Sequence, residues 1–324
     1  MSIEEYCILP MCDIARIENR DKGVAMIHVI YHANCADGFG AAMVARDVFG
    51  TVGVNYTAAS YQEPPPDVTG QDVIILDFSY KASVILEMCK KAQSIKIIDH
   101  HLSTINDLAG LDSLASNLRL CLDQNYSGAM LAWRHFIGED HAPPKLLEYI
   151  QDRDLWRFEL PNSREVSAAL FSYPYDFALW RKFYADHGND TIDCLAREGA
   201  AILRKQEKDL AELIPQLRSK MIIAGQPVPV VNLPYTLASE AGHILARNEI
   251  FAASYYITQV HWVFSLRSSF DGIDVSEVAQ KFGGGGHRHA SGFKIAIFDP
   301  SDTRNMNERL AYPFREPSTQ ENDE

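Results

Sequence analysis

The chain has 324 residues, of which 47% are hydrophobic and 23% are charged, and its formal net charge is -13 at pH 7. This length is enough for two domains, each with a core of its own. The acidic balance argues against a protein that holds long nucleic acid on a basic surface, because such binding depends on many Lys and Arg contacts to phosphate. A phosphate-bearing ligand would therefore need a metal ion or a few well-placed cations.

The cysteines and the N-terminus favour a cytoplasmic protein. Six cysteines are too few for a disulfide scaffold and show no Cys-x-x-Cys spacing, which indicates a reducing compartment. The N-terminus lacks a basic start followed by an apolar stretch, and no run reaches the ~18 apolar residues that a membrane span requires. We therefore expect no membrane partner, and the sequence leaves open whether the chain forms a homodimer.

Apolar segments alternate with helical segments after an N-terminal extension of residues 1–24. The apolar runs are typical of buried strands and occupy residues 24–32, 72–79 and 94–101. Helical patterns follow at residues 36–50, 81–93 and 125–136. This alternation predicts an α/β domain with a doubly wound parallel sheet, in which ligands gather at the carboxyl ends of the strands.

Acids and imidazoles follow each predicted strand. They are His32 and Asp37 after the first strand, Asp77 after the second, and Asp99, His100 and His101 after the third. A helix over residues 143–158 starts at prolines and carries two more acids near its end, Asp152 and Asp154. Because parallel strands bring their carboxyl ends to one edge, we expect these side chains to converge.

This mixture of carboxylate and imidazole is one that Mn, Fe, Co or Zn accepts. Two such ions that share a carboxylate can lower the pKa of a bridging water and neutralise a phosphoryl group. Asp77 is the best bridging candidate because it stands alone at the central strand end. Asp99 is expected to orient the ring of His100, as carboxylates beside metal-binding histidines do.

The second half begins with a charged helical segment at residues 191–220, in which Pro215 marks a kink or the end. Beyond it lie four β-like runs, a helix at residues 274–282 and a Gly-rich loop that starts at residue 283. They predict a smaller α+β domain with a mixed sheet. The expected division is extension 1–24, catalytic domain 25–188, helical linker 189–220, substrate-binding domain 221–298 and polar tail 299–324.

Five segments carry a resemblance to a known family. In order they are HANCADG, VIILD, IIDHH, DRDLWRF and GGGGHRHASGF. Together they resemble the ordered motifs of the DHH phosphoesterase superfamily with its C-terminal DHH-associated domain, over residues 26–297. The nano-RNase-like phosphodiesterases of that superfamily, which act on short oligoribonucleotides and on linear or cyclic nucleotides, are similar in these motifs.

The resemblance implies roles for individual residues. Metal binding falls to His32, Asp37, Asp77, His100 and Asp154, with Asp152 as the alternative to Asp154. His101, with Asp99 beside it, takes the catalytic role of contacting the phosphate or assisting the leaving oxygen. The resemblance assigns substrate binding to Arg267, to the glycines Gly283, Gly284, Gly285 and Gly286, and to His287. Consecutive glycines let backbone N–H groups approach a phosphate closely, and Arg offers a two-pronged charged donor.

The first motif departs from the family pattern. Cys35 stands where an earlier acid belongs, with Asn34 beside it. Cys35 could act as a thiolate ligand, Asn34 could offer its carbonyl, one metal site could be weak, or Cys35 could be a small packed residue.

The expected function is hydrolysis of short oligoribonucleotides or of linear or cyclic dinucleotides to 5'-mononucleotides, with one or two divalent ions per chain and manganese the expected ion. One alternative is a pyrophosphate or polyphosphate phosphohydrolase. The other is a nucleotide-binding protein that has lost catalytic activity because its first motif is altered.

Overall fold

The structure is a computed structural model that describes residues 26–186, 188–298 and 304–311. The predicted N-terminal extension lies outside these residues. The chain divides into two units, Met1–Lys205 and Gln206–Glu324. Among the described residues, no helix combines the length and the apolar character needed to cross a membrane.

The first unit is built on a sheet of five parallel strands. They are β1 (Ile27–His32), β2 (Val54–Ala59), β3 (Asp72–Leu76), β4 (Ser94–Asp99) and β5 (Leu118–Leu122). Their order is β2-β1-β3-β4-β5, and each neighbouring pair is parallel. The predicted α/β fold is therefore confirmed. The sequence missed β2 and β5, the two edge strands, because polar residues interrupt their apolar pattern.

Helices cover both faces of this sheet. They are α1 (Ala36–Phe49), α2 (Ala82–Cys89), α3 (Leu102–Asp107), α4 (Gly128–Phe136), α5 (Lys145–Asp154), α6 (Ser163–Leu170) and α7 (Phe177–Tyr184). One core joins the sheet to α1, α4 and α5 through residues such as Phe39, Leu131 and Ile150. The other lies around Ile75, Ile85 and Ile97. A sheet with a core on each face matches the doubly wound prediction.

A long helix, α8 (Asp190–Leu217), contains the division between the units. The helix includes Pro215 and ends two residues later. The proline is therefore not the last residue of the helix, and the helix is not interrupted there. The linker predicted at residues 189–220 covers this helix, and its role as a domain boundary stays a prediction.

The second unit has a mixed six-stranded sheet with helices, as predicted. Its strands are β6 (Ser219–Ile223), β7 (Gln226–Asn232), β8 (Ala252–Ile257), β9 (His261–Arg267), β10 (Gly285–His287) and β11 (Ala290–Ala296). Their order is β10-β11-β9-β8-β7-β6; β7 and β8 are parallel, and the other neighbours are antiparallel. The helices are α9 (Ala238–Leu245), α10 (Val275–Gln280) and α11 (Met306–Ala311).

Two segments of this unit differ from the prediction. The Gly-rich loop pairs as the hairpin of β10 and β11, because its apolar residues alternate after the glycines. The predicted polar tail contains α11, whose Leu310 is fully buried and accepts a backbone hydrogen bond from Ala224 at 2.8 Å. Met306 also packs against the core of this unit, so two apolar residues of the polar segment contact it.

Candidate metal centre

The strand order creates a crevice at one edge of the first sheet. From β1 the chain moves to β2 on one side, whereas β3 is followed by β4 and β5 on the other. The carboxyl ends of β1 and β3 therefore flank a topological switch point, where ligands bind in open α/β sheets. His32 is the last residue of β1, and Asp77 directly follows β3.

Asp77 lies between two imidazoles. Its Oδ1 is 3.1 Å from Nε2 of His100, and its Oδ2 is 3.5 Å from Nδ1 of His32. Its backbone is left-handed, with φ 63°, a conformation that Asp adopts more readily than most residues. A Cβ at Gly128 would lie 2.6 Å from Oδ1 of Asp77, so only glycine leaves room for the carboxylate.

Potential ligand atoms converge here in several overlapping groups, one of which joins Asp77 to Asp99, His100 and His101. Two other groups together include the six metal ligands proposed from the sequence. The first group is His32, Cys35 and Asp77; the second is Asp37, His100 and Asp154. Within each group the ligand atoms lie within 4.8 Å of one another. Asp77 belongs to the first group and also contacts His100 of the second, as the predicted bridging position requires.

Asp37 is held by the start of α4. Its Oδ2 accepts a hydrogen bond from the backbone N–H of Gly128 at 2.5 Å, and its Oδ1 accepts one from Ala129 at 2.9 Å. Ser127 caps this helix by accepting from the N–H of Met130. The sequence analysis missed this support, although a Ser-Gly pair at the start of a helix is a recognisable cap. The positive end of a helix dipole thus anchors one acid of the centre.

The buried charges of the centre fit a divalent cation. Asp37 and Asp77 are each 1% exposed, and burial followed by the charges of Asp77 and Asp154 raises the pKa of Asp37 well above its usual range. The buried polar atoms that make no hydrogen bond within the described residues include Asp77 Oδ2, Asp154 Oδ2 and His32 Nδ1. Buried carboxylate oxygens that lack a hydrogen bond are costly even beside an imidazole, and a bound cation would satisfy them.

His100 is the positive group that faces these acids. Its Nε2 lies 3.5 Å from Asp37, 3.1 Å from Asp77 and 3.4 Å from Asp154. Burial opposes its charge, but the hydrogen bond to Asp77 and the charges of Asp154, Asp77 and Asp37 raise the pKa of His100 to about 10. Burial and the charge of Asp77 also raise the pKa of Asp154, so the acids of this group are crowded and a bound cation would stabilise their charged forms.

Asp99 orients His101 rather than His100, which corrects the expectation for this acid. Its Oδ1 lies 2.7 Å from Nδ1 of His101 and accepts the backbone N–H groups of His100 and His101 at 2.8 and 3.3 Å. The ring of His100 instead hydrogen bonds Asp77. The reason is local: the backbone turns after β4, so Asp99 caps that turn and reaches the second imidazole.

Asp152 and Asp154 have different surroundings. Oδ1 and Oδ2 of Asp152 accept the backbone N–H groups of Glu159 and Leu160 at 2.9 and 3.3 Å. Asp152 therefore fixes the loop after α5, in which Trp156 has a left-handed backbone with φ 57°. Asp154 faces His100, so of the two acids only Asp154 lies in the ligand groups of the described residues.

Tyr61 is a neighbour of the centre that the sequence analysis missed. Its ring centroid lies 5.4 Å from that of His32 and 6.0 Å from that of His101, both edge to face. Its hydroxyl is buried. Tyr61 follows β2, and the sequence could not place it at this edge because β2 was not predicted.

Arg267 lies in the second unit, at the end of β9. Its guanidinium donates to Oγ of Ser239 at 2.7 Å and to the carbonyl of Leu266 at 2.7 Å. A Cβ at Gly242 would lie 2.6 Å from Cγ of Arg267, so a glycine on α9 makes room for this side chain. These contacts hold the arginine in a defined position.

The glycines at the start of β10 allow close backbone packing, which differs in part from the phosphate-binding role expected for them. The N–H groups of Gly283 and Gly284 donate to the carbonyls of Gln280 and Ala279 at 2.9 Å, so these two are not available to a phosphate. A Cβ at Gly284 would lie 2.0 Å from the carbonyl oxygen of Gly292. The adjoining residues Gly285, Gly286 and His287 form β10. Close backbone approach requires glycine here.

Comparison with known proteins gives two sequence relatives. No protein-family model matches the chain. The chain is 30% identical over 293 residues to an uncharacterized protein, R106, of Acanthamoeba polyphaga mimivirus, which covers 83% of this chain and 67% of that protein. It is 22% identical over 301 residues to oligoribonuclease NrnB of Bacillus subtilis (strain 168), which covers 83% of this chain and 73% of NrnB.

Among solved structures, the PF0399 DHH domain, from a member of the s1p family of ribosomal proteins, is similar with a TM-score of 0.49 and 16% identity. The alignment covers 84% of this chain and 83% of that one. RecJ of Thermus thermophilus in complex with Mn2+ has a TM-score of 0.47 and 15% identity, with coverage of 87% of this chain and 51% of RecJ.

The family assignment rests on the order of the motifs, on where they lie, and on the sequence relatives. The segments HANCADG, VIILD and IIDHH lie at the carboxyl ends of β1, β3 and β4, and DRDLWRF lies at the end of α5. All four place acids or imidazoles at one edge of the sheet. The relatives align with most of the chain that carries these segments. The chain belongs to the DHH phosphoesterase superfamily.

Proposed function

We propose that the chain is a metal-dependent phosphodiesterase that hydrolyses short oligoribonucleotides, or linear or cyclic dinucleotides, to 5'-mononucleotides. The observation that carries this proposal is the position of Asp77, whose two carboxylate oxygens face different imidazoles at the switch point of the sheet. The similarity to an oligoribonuclease supports the choice of a short nucleotide substrate. The net charge of -13 supports a short substrate over a long nucleic acid.

Six side chains would hold one or two divalent ions, and manganese is the ion that we expect to support activity. They are His32, Cys35 and Asp77 in one group and Asp37, His100 and Asp154 in the other. Bound there, the ions would lower the pKa of the attacking water and neutralise charge on the phosphoryl group. The carboxylate of Asp37 keeps its orientation because it accepts hydrogen bonds from the backbone N–H groups of Gly128 and Ala129. Gly128 also leaves room for the carboxylate of Asp77.

His101 is the proposed general acid. Because Asp99 is bound at Nδ1, the proton that His101 can deliver is the one at Nε2. Asp99 would stabilise the charged ring and fix its orientation, as a carboxylate does in other carboxylate–imidazole pairs. In the second unit, Arg267, Gly285, Gly286 and His287 are the proposed substrate-binding residues, whereas the N–H of Gly284 is already bonded to Ala279. Arg267 is suited to a phosphate because its fork donates two parallel hydrogen bonds.

A substrate panel tests this proposal. Purified full chain with added Mn2+ would be offered a labelled RNA dinucleotide, a cyclic dinucleotide, inorganic pyrophosphate and a short polyphosphate. We expect a 5'-mononucleotide from at least one of the two nucleotide substrates and no phosphate from the other two. Phosphate release from pyrophosphate or polyphosphate alone would identify a phosphohydrolase, and tight nucleotide binding without hydrolysis would identify a binding protein; either result overturns the proposal.

A further inference from the structure

The two ligand groups of the centre differ in their chemistry. The group of Asp37, His100 and Asp154 offers two carboxylates and one imidazole, whereas the group of His32, Cys35 and Asp77 offers one carboxylate, one imidazole and one thiol. Sulfur is a soft donor and carboxylate oxygen is a hard one, so the two groups suit different divalent ions.

The backbone fixes Cys35 beside the first group. Cys35 is the N-cap residue of α1, with extended backbone angles of φ -129° and ψ 133°, and its carbonyl accepts the N–H of Phe39 at 3.0 Å. Its side chain makes no capping hydrogen bond and no disulfide, and it is partly buried. Asn34 is exposed and occupies a left-handed turn position with φ 52°. The thiol is therefore the group from this turn that reaches the ligand atoms of His32 and Asp77.

A second observation marks the same place as a cation site. Nδ1 of His32 and Oδ2 of Asp77 are both buried and make no hydrogen bond within the part of the chain that the structure describes. They lie 3.5 Å apart, beyond an ordinary hydrogen bond. A ligand that accepts lone pairs from nitrogen, oxygen and sulfur together would satisfy all three side chains, and a transition-metal ion does so.

On the basis of the metal centre proposed above, we propose that the half formed by His32, Cys35 and Asp77 binds a thiophilic divalent ion of the Zn2+, Co2+ or Fe2+ class through Cys35 Sγ. The half formed by Asp37, His100 and Asp154 binds a harder ion such as Mn2+. The centre is thus chemically asymmetric, with Asp77 facing both halves.

Cobalt titration tests the sulfur ligand directly. Metal-free full chain titrated with Co2+ should develop a thiolate-to-cobalt charge-transfer band in the near ultraviolet. Cys35→Asp and Cys35→Ser should lose this band, and Cys194→Ser should keep it because Cys194 is exposed and distant in sequence from the first motif. The absence of the band in the wild-type chain, or its persistence in Cys35→Asp, overturns the proposal.

Metal competition gives a second readout. Cys35→Asp should weaken Zn2+ binding by at least about 10-fold, which is the lower end of the loss when a supporting contact of a metal site is removed. Binding of Mn2+ should stay equal or become tighter, because an acid replaces the soft donor. If the Zn2+ to Mn2+ preference of Cys35→Asp equals that of the wild type, Cys35 is a packing residue and the proposal is wrong.

The substrate panel run on the same samples separates this inference from the proposed function. A charge-transfer band that depends on Cys35, without hydrolysis of any nucleotide, would support the asymmetric centre and contradict the proposed phosphodiesterase function. Hydrolysis of a dinucleotide with Mn2+, without such a band, would contradict the sulfur ligand and support the proposed phosphodiesterase function.

Discussion

Asp77 is the residue on which the candidate centre depends most, because it is shared by both halves. Asn has nearly the same shape and also tolerates the left-handed backbone that Asp77 adopts, so Asp77→Asn should fold. We expect it to lower both Mn2+ affinity and turnover by at least about 100-fold, the upper end of the cost of losing even a supporting contact. Calorimetric titration with Mn2+ and a dinucleotide assay measure the two effects.

The matched control for this variant is Asp112→Asn, which removes the same charge from an exposed acid in the same unit. Circular dichroism should be unchanged in both variants. Full activity in Asp77→Asn would contradict the bridging role.

His101 is predicted to move a proton rather than to hold the metal. Removing a general acid typically costs about 10²- to 10⁴-fold, so His101→Asn should lower kcat by that factor. Metal affinity should stay within a few-fold of the wild type, because Nδ1 of His101 is bonded to Asp99 and the ring is not among the six proposed ligands. Paired measurements of kcat and of Mn2+ stoichiometry check the prediction.

If His101→Asn loses one bound ion per chain, His101 is a ligand. That outcome would move it from the general-acid role into the metal-binding set.

Single residues of the centre were predictable because their chemistry shows in the sequence. Acids and imidazoles at the ends of apolar runs identified His32, Asp77 and His100. The partner of Asp99 was not predictable, because the choice between two adjacent rings depends on how the backbone turns after β4. Tyr61 and Gly128 were missed since an aromatic ring and a glycine have no chemical pattern that distinguishes site from core.

At the scale of elements, the buried central strands were predictable and the edge strands were not. β3 is apolar from Val73 to Leu76 and β4 is apolar at every position from Ile95 to Ile98 but Lys96, whereas β2 is half exposed and β5 carries the exposed Arg119. The same limit applies to the glycines after α10. A run of glycines is compatible with a phosphate loop or with close backbone packing, and only the contacts of Gly284 with Gly292 distinguish these.

The end of α5 depends on Asp152 for its shape. Its buried carboxylate accepts two backbone N–H groups of the following loop, and hydrogen bonds to a charged group contribute about 1.5–3 kcal/mol each. Asp152→Ala should therefore lower the free energy of unfolding by about 2 kcal/mol or more. Urea denaturation followed by tryptophan fluorescence measures it.

Metal stoichiometry of Asp152→Ala is the companion measurement. We expect the same number of Mn2+ ions as in the wild type. A lost ion with unchanged stability would show that Asp152, and not Asp154, is the ligand.

At the scale of the whole molecule, the order of elements was readable from the sequence, and the domain boundaries around a linker at residues 189–220 stay a prediction. Alternating strands and helices predicted the first sheet, and the change to β-like runs after residue 220 predicted the second. The long helix α8 contains the point of division, and a continuous amphipathic pattern gives no sign of where along it the contacts change.

Metal binding should stabilise the chain against heat. The six proposed ligands lie at residues 32–154, and a cation bound only by the folded state adds about 2.7 kcal/mol when its concentration is 100 times Kd. We expect Mn2+ to raise the lowest Tm of the wild type and a chelator to reverse the rise. Scanning calorimetry of the wild type and Asp77→Asn measures this; an equal rise in the variant would place the ion elsewhere.

Anomalous diffraction from crystals grown with Mn2+ tests the central claim most directly, because it locates the ions themselves. We predict two peaks per chain on opposite sides of the Asp77 carboxylate, about 3.5–4 Å apart as in other two-metal sites. With Mn2+ as the only ion supplied, one peak should lie beside His100 and the other beside His32, in the half that prefers a softer ion. A centre without a peak within bonding distance of Asp77 would contradict the account.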